Sequence, residues 1–426
     1  MNQEIQKKAE YCLNCKTKPC QKGCPLENDI PQFIQYIKEE KYKEAYQVLA
    51  KTTVLSSVCG RICPHESQCQ GGCVRRLKGK STSIGELEAF VADKALQENY
   101  AFEEEMINKK RQKVAVVGGG PAGLTCSAFL ARKGYRVTIF EKQDTLGGIL
   151  IHGIPEFRLD REVLQGSIQK ILDLGIDVKY GQILGKTVTL EQLEEQYDAV
   201  FISIGANMPT KMQIPGEEIE GVYGGNSLLE ENKHPIYQEK TVAVIGGGNV
   251  AMDCARTIKR LGAKEVFIIY RRAQEQMPAE RKEIQEAMQE GITFLFQTNV
   301  IKIIPNIRQN KVEKIECIKT QLIQKEGDLR PSPVDIKDSN FLLPMDYVVM
   351  AVGSMPEKTI MQSLTIEKTK KGYISVQEGY RTSHEKVFAG GDVIGQKATV
   401  AWAARSGRKA AEEIDKYIKS THKDIS

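Results

Sequence analysis

No apolar run in the 426 residues approaches the roughly 18 consecutive residues that a membrane-spanning helix requires. The chain is therefore expected to be a soluble globular protein without a membrane partner. Its first ten residues are polar and charged and lack the apolar stretch of a secretory signal, so the expected location is cytoplasmic. Lysine and arginine number 60 against 55 aspartates and glutamates, a net charge of +5 spread along the chain without a long basic block. Nucleic acid is not expected as a partner, because a nucleic-acid groove tends to concentrate its basic residues. Also missing are a low-complexity segment, a Ser/His/Asp set, a metal-hydroxide site and an acid/base pair that would mark a separate substrate reaction.

What the sequence does hold is cysteine. Of 11 cysteines, eight lie between Cys12 and Cys73, and in a reducing compartment that concentration argues for metal or cluster ligation over disulfides. Cys126, Cys254 and Cys317 are isolated from one another and read as small core residues.

At roughly 150 residues per domain the length suggests about three domains. Residues 1–112 form a helical zone, in which Phe33, Ile34, Ile37, Ala45, Val48 and Leu49 recur at helical spacing. From Lys113 the pattern becomes short apolar strands, glycines and helices, as expected of a parallel α/β sheet. That pattern restarts at Thr241, where GGGNVAMDCARTIKRLG from Gly246 matches GGGPAGLTCSAFLARKG from Gly118. Two Rossmann-like dinucleotide-binding domains are expected, one of residues 113–236 and 348–426 and one of residues 237–347 inserted into it. A hinge is expected near His234 and Pro235, with the apolar strand Tyr347 to Val352 returning to the first domain. The polar tail after Tyr417 is expected to fray.

In the first repeat, Val114 to Val117 reads as a buried strand, and Gly118, Gly120 and Gly123 supply a tight turn, close approach to a pyrophosphate and tight helix packing. Pro121 and Ala122 belong to the same turn. The next strand, Arg136 to Phe140, ends at Glu141, where a carboxylate can accept hydrogen bonds from an adenosine ribose, and Lys142 follows it. In the second repeat Gly246, Gly248 and Ala251 form the equivalent turn, with Asn249 and Val250 as further contacts. Allowing one extra residue, Tyr270 falls in register with Glu141 and is followed by Arg271 and Arg272. NAD wants a carboxylate there and a 2'-phosphate wants guanidinium donors, so the pair favours NADPH.

The first cysteine group is Cys12-x2-Cys15-x4-Cys20-x3-Cys24-Pro25 and the second is Cys59-x3-Cys63-x5-Cys69-x3-Cys73. Three closely spaced thiolates can wrap one cluster, whereas a fourth cysteine followed by proline reaches a different one. Two 4Fe-4S clusters follow, with Cys12, Cys15 and Cys20 on one and Cys24 with three cysteines of the second group on the other. Zinc is the competing reading, but zinc sites favour two CxxC pairs or histidine partners, and the zone has only His65.

From Lys113 to about residue 418 the chain resembles the two-dinucleotide-binding-domain flavoproteins. The resemblance implies FAD at the first fingerprint, with Gly147, Gly148 and Arg158 beside it. Gly390, Gly391 and Asp392 of the VFAGGDV segment would lie near the ribityl chain, and the Thr399 to Gly407 helix would point at the flavin. No CxxC occurs within residues 113–426, so disulfide reduction is disfavoured. The cysteine zone resembles the amino-terminal domain of the glutamate synthase small subunit and its relatives, among them the large subunit of NADH-dependent ferredoxin:NADP oxidoreductase and the flavin half of dihydropyrimidine dehydrogenase. In these relatives an I-G-x-L-E/Q segment, here Ile84, Gly85, Leu87 and Glu88, supplies a non-cysteine ligand. Carried over, Glu88 completes the Cys12, Cys15, Cys20 set and Cys24, Cys63, Cys69 and Cys73 make the other, leaving Cys59 spare. Counting thiols alone prefers Cys59 as the eighth ligand.

The resemblance implies an NADPH-oxidising electron-input subunit that docks through its cysteine zone. The implied partner is the glutamate synthase large subunit, or alternatively a ferredoxin- or flavin-reductase subunit or a pyrimidine-reducing barrel. A non-catalytic relay scaffold is the reading from a different class, and it would predict damaged fingerprints. Amide transfer needs an amino-terminal cysteine, whereas Met1 is followed here by Asn2, and an FMN barrel would take roughly 250 further residues. Both are expected on the partner.

Overall fold

The computed structural model describes residues 2–102, 111–231, 233–324 and 330–421. They fall into two compact units, the first of residues 1–151, 156–206 and 356–426 and the second of residues 152–155 and 207–355.

The first unit opens with the helical cysteine zone, α1 (Asn2–Glu10), α2 (Ile30–Lys38), α3 (Tyr42–Ala50), α4 (Ser56–Ile62) and α5 (Ile84–Gln97). The α2 helix starts where the Asp29 carboxylate accepts from the Gln32 amide and Pro31 fills the first turn. Its Phe33, Ile34 and Ile37 are fully buried. A Cβ on Gly60 of α4 would stand 2.5 Å from the Ala89 nitrogen of α5, so glycine is what lets these helices meet. Cys12, Cys15, Cys24, Cys63, Cys69 and Cys73 sit outside these helices, whereas Cys59 lies within α4 and Cys20 within the short helix Pro19–Gly23.

The same unit holds a parallel sheet built from β1 (Lys113–Val117), β2 (Arg136–Phe140), β3 (Asp177–Lys179), β4 (Ala199–Ile202) and the late strand Val387–Ala389. The spatial order is Val387–Ala389, β4, β1, β2, β3. Helix α6 (Pro121–Arg132) follows β1 and packs against the long helix Val400–Thr421. That last helix continues past Tyr417, and the remainder of the tail lies outside the described residues. The cysteine zone is tied to this sheet domain by polar contacts. Ser57 and Ser167 hydroxyls meet at 2.5 Å, Arg132 donates to the Ala50 carbonyl at 2.7 Å, and Arg408 donates to the Leu26 carbonyl at 3.1 Å.

The second unit contains β5 (Val222–Gly224), β6 (Thr241–Ile245), β7 (Glu265–Tyr270), β8 (Thr293–Phe296) and β9 (Tyr347–Met350), in the parallel order β5, β9, β6, β7, β8. Helix α7 (Asn249–Arg260) follows β6. Alternate residues of β6 face opposite sides: Val242 and Val244 pack with Met252, Ala255 and Ile258 of α7, whereas Ala243 and Ile245 pack with Val300, Ile303 and Ile315. These last three belong to antiparallel strands Thr298–Pro305 and Val312–Ile323.

The strand Tyr347–Met350 differs from expectation. It pairs with β5 and β6 in the second sheet, with Val348 opposite Ala243, and does not return to the first. A strand buried on both faces reads as an apolar run whichever sheet takes it, so the sequence could not assign it. The chain accordingly leaves the first unit at Ala206 and re-enters it at Pro356, outside the expected 236 and 348 boundaries.

Candidate functional site

The first fingerprint is a turn only glycine can make. Gly118 has φ +99°, and a Cβ on Gly123 would stand 1.9 Å from the Gly118 carbonyl oxygen. Gly120 is the N-cap of α6 and Pro121 opens its first turn, leaving the helix amides and dipole free to face an anion. Gly147 (φ +120°) donates its N–H to the Gly119 carbonyl at 2.8 Å, and a Cβ on Gly148 would touch the Gly120 Cα at 3.1 Å. The second glycine pair thus lies directly on the fingerprint turn. Glu141 is buried and accepts from the amides of Gly119 at 2.7 Å and Gln143 at 2.9 Å. Lys142 is exposed, and Arg158 is half-buried ahead of helix Arg161–Leu172.

Gly391 (φ +75°) lies over α6, where its Cβ would meet the Ala122 Cβ at 3.1 Å, and its N–H is held by the Ser406 hydroxyl at 2.8 Å. Beside it Asp392 has a buried Oδ1 with no hydrogen-bond partner, and burial pushes its carboxyl up to about 6. An orphaned carboxylate oxygen beside a glycine cradle and a helix N-terminus suits a flavin dinucleotide, whose ribityl hydroxyls are donors and whose pyrophosphate is an anion. Thr399 caps the helix Val400–Thr421, accepting from the Trp402 amide at 3.4 Å and from the Gln68 side-chain amide at 3.5 Å.

The second fingerprint repeats the turn, with Gly246 at φ +145° and Gly248 as the N-cap of α7. Asn249 Oδ1 accepts from the Glu280 amide at 3.1 Å, Val250 is half-buried and Ala251 is buried. The register is explicit, because Gly118 donates to Phe140 and Gly246 donates to Ile269. Tyr270 therefore takes the place of Glu141, and its ring lies against Gly247 as Glu141 and Leu146 lie against Gly119. Arg271 is exposed, and Arg272 is half-buried with its Nε donating to the Pro331 carbonyl at 3.1 Å. Arg330, which sequence reasoning missed, donates to the Tyr270 hydroxyl at 2.6 Å. No spacing rule links positions so far apart; only the fold does.

The eight thiols divide into two groups. Cys12, Cys15, Cys20 and Cys73 line one small cavity together with Ile34, Thr82 and Ile84, and the Thr82 amide approaches the Cys73 sulfur at 3.5 Å. Cys24, Cys63 and Cys69 gather around Glu88, whose carboxylate adds to the burial that raises Cys24 and Cys69 and to the Cys59 contact that raises Cys63. Burial pushes Glu88 up to about 8, Cys20 to about 11 and Cys24 to about 12. Cys63 and Cys69 lie well above the ordinary thiol range, the first through its contact with Cys59 and the second through burial. Thiols and a carboxylate crowded in a low-dielectric site oppose one another's ionisation, and a bound polycation reverses that by stabilising every thiolate at once. The donor set fits iron–sulfur clusters. Among the described residues no three cysteine, histidine or carboxylate side chains converge on a single metal-ion position.

This partition departs from the expected one in that Cys73 and Glu88 change places. Ile84, at the start of α5, lines the first cavity, while Glu88, one turn further on, reaches the second group. Asn28 donates to Glu88 at 3.4 Å and is itself held by the Thr52 hydroxyl at 2.6 Å. Cys59 is buried against Cys63 within the Glu88 group. Cys126, Cys254 and Cys317 are fully buried, the last two within apolar clusters of the second unit.

A family profile described as pyridine nucleotide-disulphide oxidoreductase matches residues 112–407, and one described as dihydropyrimidine dehydrogenase domain II, 4Fe-4S cluster, matches residues 1–100. The chain is 33% identical over 433 residues to the glutamate synthase (NADPH) small chain of Halomonas elongata, covering 98% of this chain and 91% of that one. The chain belongs to the glutamate synthase small-chain family. As a member of it the protein is an NADPH-dependent oxidoreductase, and its cofactors are FAD, NADPH and 4Fe-4S iron–sulfur. It is also 36% identical over 431 residues to the NADP(+)-dependent formate dehydrogenase subunit beta of Moorella thermoacetica, of which it spans only 60%. The fold matches the solved structure of Mycobacterium tuberculosis FprA in complex with NADPH at a TM-score of 0.65, with 19% identity over 74% of this chain and 86% of that one. Among the described residues no helix is long and apolar enough to cross a membrane.

Proposed function

We propose that this small-chain family member is the electron-input component of a larger redox enzyme, most directly a glutamate synthase. The observation that carries the reading is the contact between the cysteine zone and the helix Val400–Thr421. Arg405 and Arg408 of that helix hold the carbonyls of Pro25 and Leu26, next to Cys24, and the Gln68 amide reaches Thr399 at the helix start.

When bound, FAD would accept a hydride from NADPH and release single electrons to the iron–sulfur centres. The chain's own residues bind, orient and shield. The amides of Gly120, Ala122 and Gly123 at the start of α6 would receive the FAD pyrophosphate, with Pro121 shaping the turn and Lys142, Gly147, Gly148 and Arg158 flanking it. Glu141 accepts from the adenosine ribose and Asp392 from a ribityl hydroxyl. In the second unit Gly246, Gly248, Asn249 and Val250 receive the NADPH pyrophosphate, and Arg271 and Arg272 bind its 2'-phosphate, with Arg330 as a third guanidinium. Cys12, Cys15, Cys20 and Cys73 hold one cluster. Cys24, Cys63, Cys69 and Glu88 hold the other, with Cys59 as the competing eighth ligand. The domain division follows this chemistry, with a cluster zone, an FAD domain and an NADPH domain inserted into it.

Coverage of nine-tenths of a glutamate synthase small chain favours the large chain of that enzyme as partner. The slightly higher identity to a formate dehydrogenase subunit supports a second reading, in which the acceptor is another oxidoreductase. Reconstitution decides between them. The purified chain mixed with the glutamate synthase large chain of the same organism, glutamine and 2-oxoglutarate should oxidise NADPH and form glutamate only when both chains are present. NADPH-driven dye reduction without such coupling would move the partner to the second class.

A further inference from the structure

The cysteine zone buries its apolar side chains well except in one place. Among residues 2–102 the exposed large apolar side chains are Tyr11, Leu13, Val74 and Leu77, and every one stands within four residues of Cys12, Cys15 or Cys73. Leu77 is 84% exposed and Leu13 is 51% exposed. The two segments form one surface. Arg75 stacks over the Tyr11 ring at 4.2 Å and donates to the Tyr11 carbonyl at 2.8 Å, the Tyr11 hydroxyl donates to the Lys80 carbonyl at 3.1 Å, and Leu13 and Val74 line the same cavity as the four thiols.

The rim is basic. Lys16, Arg76, Lys78 and Lys80 are all exposed and residues 11–16 and 74–80 contain no carboxylate, whereas the exposed Glu10, Glu66 and Glu86 lie outside these segments, the last paired with Lys8. An apolar centre inside a charged rim is the anatomy of a protein interface, and a rim of one sign steers a partner of the other. The Cys24 group, by contrast, faces the helix Val400–Thr421 through Pro25 and Gln68. One thiol group thus looks inward and the other looks out through an apolar window.

We infer that the face formed by residues 11–16 and 74–80 is the docking site for the electron acceptor, and that this acceptor is an acidic redox protein with a small apolar contact ringed by carboxylates. This inference rests on the proposed electron-input function and names the surface that serves it. It also orders the thiol groups, with the Cys24, Cys63, Cys69 and Glu88 set on the entry side and the Cys12, Cys15, Cys20 and Cys73 set at the exit.

The test uses the purified holoprotein and a labelled recombinant rubredoxin as a small acidic redox probe, read by fluorescence anisotropy at low and moderate salt. The wild type should bind rubredoxin more weakly as salt rises. Leu77→Asp and the double variant Lys78→Glu/Lys80→Glu should each weaken binding about tenfold or more and slow NADPH-driven rubredoxin reduction in proportion. Ile307→Asp, at another exposed apolar side chain, should bind within about twofold of the wild type. NADPH–ferricyanide reduction should be unchanged in all three variants, which shows that they fold and accept hydride. The inference is overturned if rubredoxin does not bind, if the patch variants bind it as the wild type does, or if a basic cytochrome c or an RNA binds the patch equally well. Loss of ferricyanide reduction in the wild type would instead overturn the electron-input function, a failure that the binding readout separates from this one.

Discussion

The guanidinium of Arg405 donates to the carbonyl oxygen of Pro25 at 2.5 Å and pairs with Glu27 at 2.9 Å. One helix therefore serves two sites. Its start is capped by Thr399 beside the Asp392 turn, and its second turn grips the loop that carries Cys24. Any distortion of that grip changes the distance between a thiol group and the dinucleotide cradle without touching either directly.

Arg405→Met should separate the two halves of the reaction. NADPH–ferricyanide reduction should stay within about twofold of the wild type, while stopped-flow reduction of the clusters slows by about tenfold. The lost charge-assisted hydrogen bond costs about 1.5–3 kcal/mol, to be discounted because the Arg405–Glu27 pair is partly exposed. Equal slowing of both readouts would show that Arg405 acts on the flavin site and not as a clamp.

Cluster content tests the division of the thiols. Cys73→Ser and Cys12→Ser should each remove the same half of the bound iron and sulfide, and the double variant should remove no more than either single one. Cys24→Ser combined with Cys73→Ser should remove nearly all of it. Were Cys73→Ser and Cys24→Ser to abolish the same paramagnetic signal, the division would be wrong.

Glu88 and Cys59 compete for the eighth position, and their substitutions should differ. Glu88→Ala should shorten the chelator half-life of one cluster by about tenfold or more, by the reasoning that applies to ligands and their partners. Cys59→Ser should leave that half-life within about twofold. The reverse ranking would make Cys59 the ligand.

Cofactor choice rests on the arginines after β7. Arg272→Ala should raise KM for NADPH by about tenfold to a hundredfold, the effect of losing one charged hydrogen-bonding group, with little change in KM for NADH. Arg271→Ala should act in the same direction. If both cofactors weaken together, the arginines support the fold and do not read the 2'-phosphate.

Asp392 gives a pH dependence with a definite sign. Burial raises its carboxyl from an ordinary 3.8 to about 6, so in FAD-stripped protein the native state keeps a proton that the unfolded state has lost. Stability then falls as pH rises through that window, by up to about 3 kcal/mol once the pH passes the native value. Asp392→Asn should relieve this, so its stability relative to the wild type should grow from about pH 4 to about pH 6 and then level off, as measured by urea unfolding. A difference independent of pH would mean that Asp392 is neutral or solvated throughout.

Much of the molecule was legible because glycine and charge report local geometry. Gly118 and Gly246 require positive φ, and the register that makes Tyr270 the counterpart of Glu141 in the second repeat follows from strand lengths alone. What depended on the third dimension was not legible. Spacing cannot say that Cys73 closes with Cys12 while Glu88 turns to Cys24, because the twist of a single helical turn between Ile84 and Glu88 decides it. Nor can an apolar run such as Tyr347–Met350 declare which of two similar sheets will pair with it. Arg330 reaches Tyr270 from a distant strand region and carries no motif of its own.

The central claim is that reducing equivalents enter from NADPH at the flavin and leave through the thiol-bound centres. Its most direct test is an anaerobic titration of the purified holoprotein with NADPH, followed by the flavin absorption band and by electron paramagnetic resonance. The account predicts that the flavin bleaches first, that cluster signals then appear, and that Cys24→Ser keeps the bleaching while losing one of those signals. Cluster signals that develop under NADPH in protein stripped of FAD, or a flavin that NADPH does not bleach, would contradict it.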